Sequence, residues 1–274
     1  MSTSLAGPSG ERAHARNTLR ASAATWFIIA AFGQFFFAYY ILVHFGGSVL
    51  EADWEAMSRR LIVGIVDGDA FGNFNLLLHL ALAFLITVAG PLQFIPQIRQ
   101  AFPVFHRWTG RIYLTVAVVI SLGALYLTWG RGMAGLIPEI GISINAVLII
   151  VFAGLALRAA LVRRFDAHHR WALRLFIAAS GVWFFRVGYG FWMIATGGAM
   201  PGVGRMLDGP VDYFLVFGCY GAPLVILEVY QYARDKGGPT LRYAAAGLVF
   251  AGAGITATGV VGAAMMFWLP RLAS

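Results

Sequence analysis

Long apolar segments alternate with short polar ones along most of the chain. Each apolar segment is long enough, at 1.5 Å of rise per residue, to cross a hydrocarbon core of about 30 Å as an α-helix. Seven such segments follow one another, at 25–45, 74–96, 108–129, 140–162, 171–195, 211–232 and 242–268. The pattern therefore predicts an all-α fold, a polytopic bundle of seven transmembrane helices that forms a single domain over 25–268.

The polar flanks predict the orientation of this bundle. Seven spans put a basic tail at 1–24 and a short tail at 269–274 on opposite sides. Basic residues on the side of the first tail number fourteen, namely Arg12, Arg16, Arg20, Arg99, Arg107, Arg111, Arg158, Arg163, Arg164, Arg170, Arg174, Arg234, Lys236 and Arg242. The other side has five, namely Arg59, Arg60, Arg131, Arg205 and Arg271. Because cytoplasmic loops carry the excess of Lys and Arg, we expect a cytoplasmic N-terminus and an outer C-terminus.

Composition agrees with a membrane protein and narrows its chemistry. The chain is 59% hydrophobic and only 12% charged, against about 25% charged residues in an average soluble domain. The net charge of +8 arises between the apolar segments, where lipid headgroups explain it better than nucleic acid does. Cys219 is the only cysteine, which excludes disulfides within the chain and cysteine-based zinc sites.

One short motif, His-Arg-Trp-x-x-Arg, occurs twice, each time at the start of an apolar segment. The copies occupy residues 106–111 and 169–174. On parallel helices, both would lie at the cytoplasmic face. Two interpretations are open, because histidine and arginine can form a cofactor site while the same residues, with tryptophan, also serve as interfacial anchors.

The histidines fall on two predicted levels. His79 and His44 lie towards the outer face, whereas His106, His168 and His169 lie at the inner face. Neutral imidazoles on facing helices can clamp a haem iron from both axial sides. We therefore expect His79, His106 and His168, with His44, as candidate ligands of haem iron, and His169 as an alternative to His168.

Arginine pairs well with carboxylates such as haem propionates. The candidates are Arg107, Arg111, Arg170 and Arg174 at the inner level and Arg186 at the outer one. Glu228 is expected to pair with an inner arginine in a structural ion pair. Alternatively, His79 and Arg186 line a polar cavity in a transporter or a membrane accessory protein without enzymatic activity.

A family resemblance covers about residues 75–190. The string Gly90-Pro91-Leu92-Gln93-Phe94, Arg99 and the stretch 106–113 resemble a bacterial multi-pass family known only as domain of unknown function 2306. The stretch 168–174 and the later Arg186 resemble its second signature. The resemblance implies a multi-pass protein of the bacterial inner membrane. It favours His168 over His169, whereas the internal repeat favours His169.

More distantly, the arrangement is similar to di-haem transmembrane cytochromes of the b-561 type. Their ligands lie on four consecutive helices and form one haem site near each face. Here the fourth apolar segment offers Asn145 and no histidine, so either His44 substitutes or only an inner haem is bound. The resemblance implies a membrane oxidoreductase with haem b that exchanges electrons with a small donor such as a quinol. No catalytic residue and no oligomeric state follow from the sequence.

Overall fold

The computed structural model describes residues 8–58, 61, 63–132 and 135–272, and it bears out the all-α prediction. Its helices are α1 Pro8–Ile41, α2 Gly47–Leu50, α3 Trp54–Ser58, α4 Ala70–Phe94, α5 Pro96–Ala101, α6 Pro103–Arg131, α7 Leu136–Leu161, α8 Phe165–Ala179, α9 Gly181–Ala195, α10 Pro210–Lys236, α11 Pro239–Ala263 and α12 Leu269–Leu272. Turns of π-helix at Leu42–Gly46 and Ala264–Trp268 extend α1 and α11. The described residues contain no strand.

Among the described residues, six helical segments are long and apolar enough to cross a membrane, and the bent pair α8–α9 makes a seventh candidate. Both ends of this pair contact α10. Arg174 in α8 bonds to Glu228 near the end of α10, and Tyr189 in α9 donates to Asp212 near its start. The pair therefore runs antiparallel to α10 along its length, as one crossing would.

The first and last long helices run parallel. Leu19, early in α1, shares a small cluster with Ala245, early in α11, whereas Phe37, late in α1, packs on Trp268 just beyond α11. Helix α1 begins at Pro8 and so includes much of the predicted tail. The side that faces the cytoplasm stays a prediction. Residues 1–7 of that tail, and Arg59 and Arg60 of the charge count, lie outside the described residues.

The fifth span differs from the continuous helix that the sequence predicts. It bends by 54° where α8 passes into α9, at Ser180. A bend loosens backbone hydrogen bonds, which must be satisfied within the protein because lipid offers no partner. Gln34 of α1 donates from Nε2 to the Ser180 hydroxyl at 3.0 Å, and Asn145 of α7 donates from Nδ2 to the Ala178 carbonyl at 3.2 Å. Two polar residues within the spans therefore support the bend.

Helices α4, α6, α7 and α8 form one packing unit. Its core contains Ile86, Tyr113, Val116, Ala117, Ile149, Ala153, Leu175 and Ala178. Gly90 faces the rings of Phe176 and Tyr113, and a Cβ at this glycine would lie 3.0 Å from Phe176. Aromatic side chains therefore fill the space beside this glycine of α4.

Helix α11 packs against α1 and α9 in a second unit. The backbones of α9 and α11 approach closely where Gly190 meets Gly259 and Gly262, and a Cβ at Gly190 would overlap the Ala263 backbone. Small residues permit this distance between transmembrane helices. Glycines thus permit close packing of both helices.

Candidate functional site

Both motif copies lie at one end of the bundle, where α6 and α8 begin and α4 and α10 end. We call this end the motif face. In each copy the last arginine stacks on the tryptophan three residues earlier. The Arg111 guanidinium carbon lies 5.1 Å from the Trp108 ring centroid, and that of Arg174 lies 4.5 Å from the Trp171 ring. Residues three apart share one side of a helix, so the motif spacing produces a cation–π pair.

The first copy is largely exposed. Trp108 is 59% exposed, and both Arg107 and Arg111 are exposed as well. Between them, the Thr109 hydroxyl accepts a hydrogen bond of 2.8 Å from Gln93 Nε2, which ties the start of α6 to the end of α4. This copy is thus fixed to the bundle while its tryptophan and arginines remain accessible.

The second copy is tied to α10 by carboxylates. Arg174 donates from Nε and Nη2 to the two oxygens of Glu228, both at 2.7 Å. Arg170 Nη2 lies 2.7 Å from Asp235. The predicted ion pair between Glu228 and an inner arginine is confirmed. Arg170 and Arg174 are therefore already paired with carboxylates of the chain itself.

Three histidines gather at the motif face. His168 places Nδ1 2.9 Å from the Ala156 carbonyl oxygen of α7. His106 at the start of α6 interacts electrostatically with His168 and with Arg99. His169 lies with its ring centroid 6.2 Å from that of Phe94. The described residues contain no group of three or more His, Cys, Asp or Glu side chains spaced to hold a metal ion, whereas an axial haem clamp needs only two histidines.

At the predicted outer level of the bundle, His79 and Arg186 interact. His79 is half-buried and bonds to the backbone of Ile120, while its Nδ1 is buried with no hydrogen-bond partner among the described residues. Arg186 acts on it electrostatically. The Arg186 guanidinium lies 5.1 Å from the Phe37 ring centroid and donates to the Val182 carbonyl at 3.1 Å.

His44 lies in an aromatic cluster at the end of α1. It is 5% exposed, its ring stacks on Tyr40 at 5.0 Å between centroids, and Phe45 packs edge-on against it. Tyr40 and Phe45 belong to the core that also contains Trp268. Aromatic packing thus accounts for much of the burial of this imidazole.

The sequence does not predict the polar pocket between α8 and α10. This cavity of about 190 Å³ is lined by Arg170, Arg174, Glu228, Gln231, Tyr232, Asp235 and Lys236. Gln231 is 2% exposed, and neither its amide oxygen nor its amide nitrogen has a hydrogen-bond partner among the described residues. The sequence did contain a pattern that could have indicated this pocket, since Glu228, Gln231 and Asp235 recur at helical spacing along one side of α10.

Polar networks also fix the end of the bundle opposite the motif face. Arg131 bonds to Asp69 at 2.9 Å, to Asn73 at 2.6 Å and to the Gly64 carbonyl at 3.0 Å. The Gly72 backbone N–H, followed by the Arg131 guanidinium, holds the pKa of Asp69 below its usual value. These contacts attach the segment before α4 to the end of α6.

A second network at this end centres on Asp212, which is 1% exposed. It accepts hydrogen bonds from the Tyr189 hydroxyl and from the backbone N–H groups of Gly204 and Gly209, the latter two at 2.7 and 2.8 Å. The loop between α9 and α10 is thereby attached to both helices. Neither network was predicted, because both depend on which loops meet.

Comparison with known proteins finds a family model that matches part of the chain. No curated protein and no solved structure matches the chain, so the distant likeness to b-561 cytochromes has no support. Residues 76–204 match the family described as a predicted membrane protein, DUF2306. This segment contains both motif copies, His79 and Arg186. Over residues 76–204, the chain is therefore similar to the DUF2306 family of predicted membrane proteins.

Proposed function

We propose that this integral membrane protein binds a b-type haem at the motif face, where His106 and His168 would hold the iron. The contact between His168 Nδ1 and the Ala156 carbonyl is the observation that carries the proposal. A histidine that ligates a metal usually donates its other ring N–H to a carbonyl or carboxylate, which fixes the tautomer and the ring orientation. His168 would then present Nε2 to the iron.

The helix arrangement supports the same pair of ligands. Helix α7 contacts both α6 and α8, and α4 contacts α6, while Phe176 of α8 packs at Gly90 of α4. Helices α6 and α8 therefore stand opposite each other in the four-helix unit, and both begin at the motif face. Ligands projecting from opposite helices can approach one group from both sides.

The contacts also favour particular residues within each set of candidates. His169 packs near Phe94, which supports His168 rather than His169 as the ligand. Arg170 and Arg174 pair with Asp235 and Glu228. We therefore expect Arg107 and Arg111, both exposed, to pair with the propionates.

The proposal is for one haem rather than two. The fourth span carries no histidine, and the amide nitrogen of its Asn145 bonds to the Ala178 carbonyl. His44 stacks on Tyr40 within an aromatic cluster. A haem held by two histidines supplies reversible one-electron transfer, and a quinol from the membrane is a suitable donor. The chain's own part is to hold both imidazoles and to neutralise the propionates.

The test is the absorbance of the full-length protein purified from cells grown with ample haem. We expect a Soret band with the low-spin spectrum of bis-histidine ligation. His106→Ala and His168→Ala should each abolish that low-spin spectrum and remove most of the bound haem. His169→Ala should retain it, as should His14→Ala, a control at an exposed position on α1. Wild-type protein without a Soret band would refute the proposal.

The second candidate function is transport of a polar or anionic substrate through a site at His79 and Arg186. Two observations favour it, the buried Nδ1 of His79 beside a cation and the bend between α8 and α9. Broken spans are common at the substrate sites of transporters. If the wild type carries no haem, this site becomes the better-supported one, and Arg186→Gln should then abolish uptake that His106→Ala leaves intact.

A further inference from the structure

The pocket between α8 and α10 lies at the motif face, apart from His106 and His168. Gln231 reaches it from α10, almost fully buried, with both polar atoms of its amide lacking a hydrogen-bond partner among the described residues. Leaving such a buried amide without hydrogen-bond partners destabilises the folded protein. The pocket therefore favours a polar ligand group that the described residues do not supply.

The Gln231 amide determines which hydrogen bonds the ligand group must form. A glutamine side chain offers two N–H donors and one carbonyl acceptor, so a ligand that satisfies both atoms of Gln231 must accept one hydrogen bond and donate another. The charged residues that line the pocket are Arg170, Arg174, Lys236, Glu228 and Asp235. Three cations against two carboxylates leave one positive charge, which suits a ligand with one negative charge.

The ion pairs hold the two guanidinium groups in place but use only some of their N–H donors. Arg174 uses Nε and Nη2 on Glu228 and stacks on Trp171, and Arg170 contacts Asp235 through Nη2. Each guanidinium carries five N–H donors, so donors remain on both. Two oriented guanidinium groups suit the oxygens of a phosphate.

We infer that this pocket binds the headgroup of an anionic phospholipid whose phosphodiester also carries hydroxyl groups, as in phosphatidylglycerol. The phosphate accepts hydrogen bonds from Gln231 Nε2 and the two arginines, and a glycerol hydroxyl donates to Gln231 Oε1. The location supports a lipid, because α8 begins and α10 ends at this face, where headgroups surround a membrane protein. Phosphatidylcholine has no donor for the amide oxygen and no net charge.

Native mass spectrometry of the purified full chain tests this inference. The protein is exposed to an equimolar mixture of phosphatidylglycerol and phosphatidylcholine, and the retained lipids are counted. We expect wild-type protein to prefer phosphatidylglycerol by about tenfold, the effect of one or two hydrogen bonds to a charged group. Gln231→Leu and Arg170→Gln should reduce the preference to about twofold or less. Arg164→Gln, at the separate pocket between α7 and α8, is the matched control and should keep it.

Thermal stability separates loss of the ligand from loss of the fold. Because Gln231→Leu removes a buried amide that has no partner, its melting temperature without lipid should equal or exceed that of the wild type. The rise on adding phosphatidylglycerol should disappear in this variant. Equal retention of phosphatidylglycerol by wild type and Gln231→Leu would overturn the inference. Displacement of the lipid by millimolar inorganic phosphate, with binding that depends on Gln231, would overturn the lipid assignment in favour of free phosphate.

Discussion

Replacement of Asp212 by alanine should be among the most damaging single changes at the end opposite the motif face. The carboxylate is 1% exposed and accepts hydrogen bonds from the Tyr189 hydroxyl and from the backbone N–H groups of Gly204 and Gly209. A hydrogen bond to a charged group contributes about 1.5–3 kcal/mol. Water can reach part of the half-buried loop, so we expect a total loss of about 3 kcal/mol, below the sum of three full contributions.

Two milder variants separate the contacts. In Asp212→Asn, the amide oxygen can still accept from Gly204 and Gly209 while the amide nitrogen donates to Tyr189, so only the charge assistance is lost, about 1 kcal/mol. Tyr189→Phe removes one donor and should cost about 1–2 kcal/mol.

Differential scanning fluorimetry of the detergent-solubilised chain measures these losses. At about 2–4 °C per kcal/mol for a chain of this size, Asp212→Ala should melt about 6–12 °C below the wild type. Limited proteolysis should then cut the loop at 197–209 sooner. A melting temperature within about 1 °C of the wild type, with an unchanged cleavage rate, would refute the reasoning from burial and hydrogen bonding.

Two further predictions concern other parts of the bundle. The pKa of Asp69 lies below its usual value. The stabilisation that the Asp69 carboxylate contributes should therefore be complete above the unfolded-state pKa, about 3.9. It should be lost as the pH falls through the lower folded-state pKa. The melting-temperature difference between wild type and Asp69→Asn should therefore be constant from pH 5 to 8 and shrink under strong acid; a constant difference at every pH would contradict this. Gly190→Ala should destabilise the protein by about 1–3 kcal/mol, because the added methyl group overlaps α11. The control Gly254→Ala has open space around it and should be neutral or slightly stabilising. Equal shifts in melting temperature for the two variants would refute the close approach of α9 and α11.

Hydropathy was sufficient to predict the helices because lipid requires each span to satisfy its own backbone. The charged side of α10 was also partly predicted, since the sequence indicated that Glu228 pairs with an inner arginine. The bend at Ser180 could not be predicted. The side chains that support it, Gln34 and Asn145, belong to other helices far away in the sequence, and only tertiary packing brings them to one point.

The two networks at the end opposite the motif face escaped prediction for a related reason. Asp69 and Asp212 look like ordinary residues at helix starts, and their roles depend on Arg131 and Tyr189 arriving from other segments. The motif copies show a different limit. Their sequences are nearly alike, yet Glu228 and Asp235 tie the second copy to α10, whereas the arginines of the first copy are exposed. The motif itself does not specify which neighbouring helix packs beside it.

The bend at Ser180 gives the two halves of one span different main neighbours. Helix α8 shares a core with α4, α6 and α7, whereas α9 approaches α11 closely at Gly190. Because α9 turns by 54° from the direction of α8, Arg186 lies off the line that a straight continuation of α8 would follow. The bend therefore helps to determine where this cation meets His79 of α4 and Phe37 of α1.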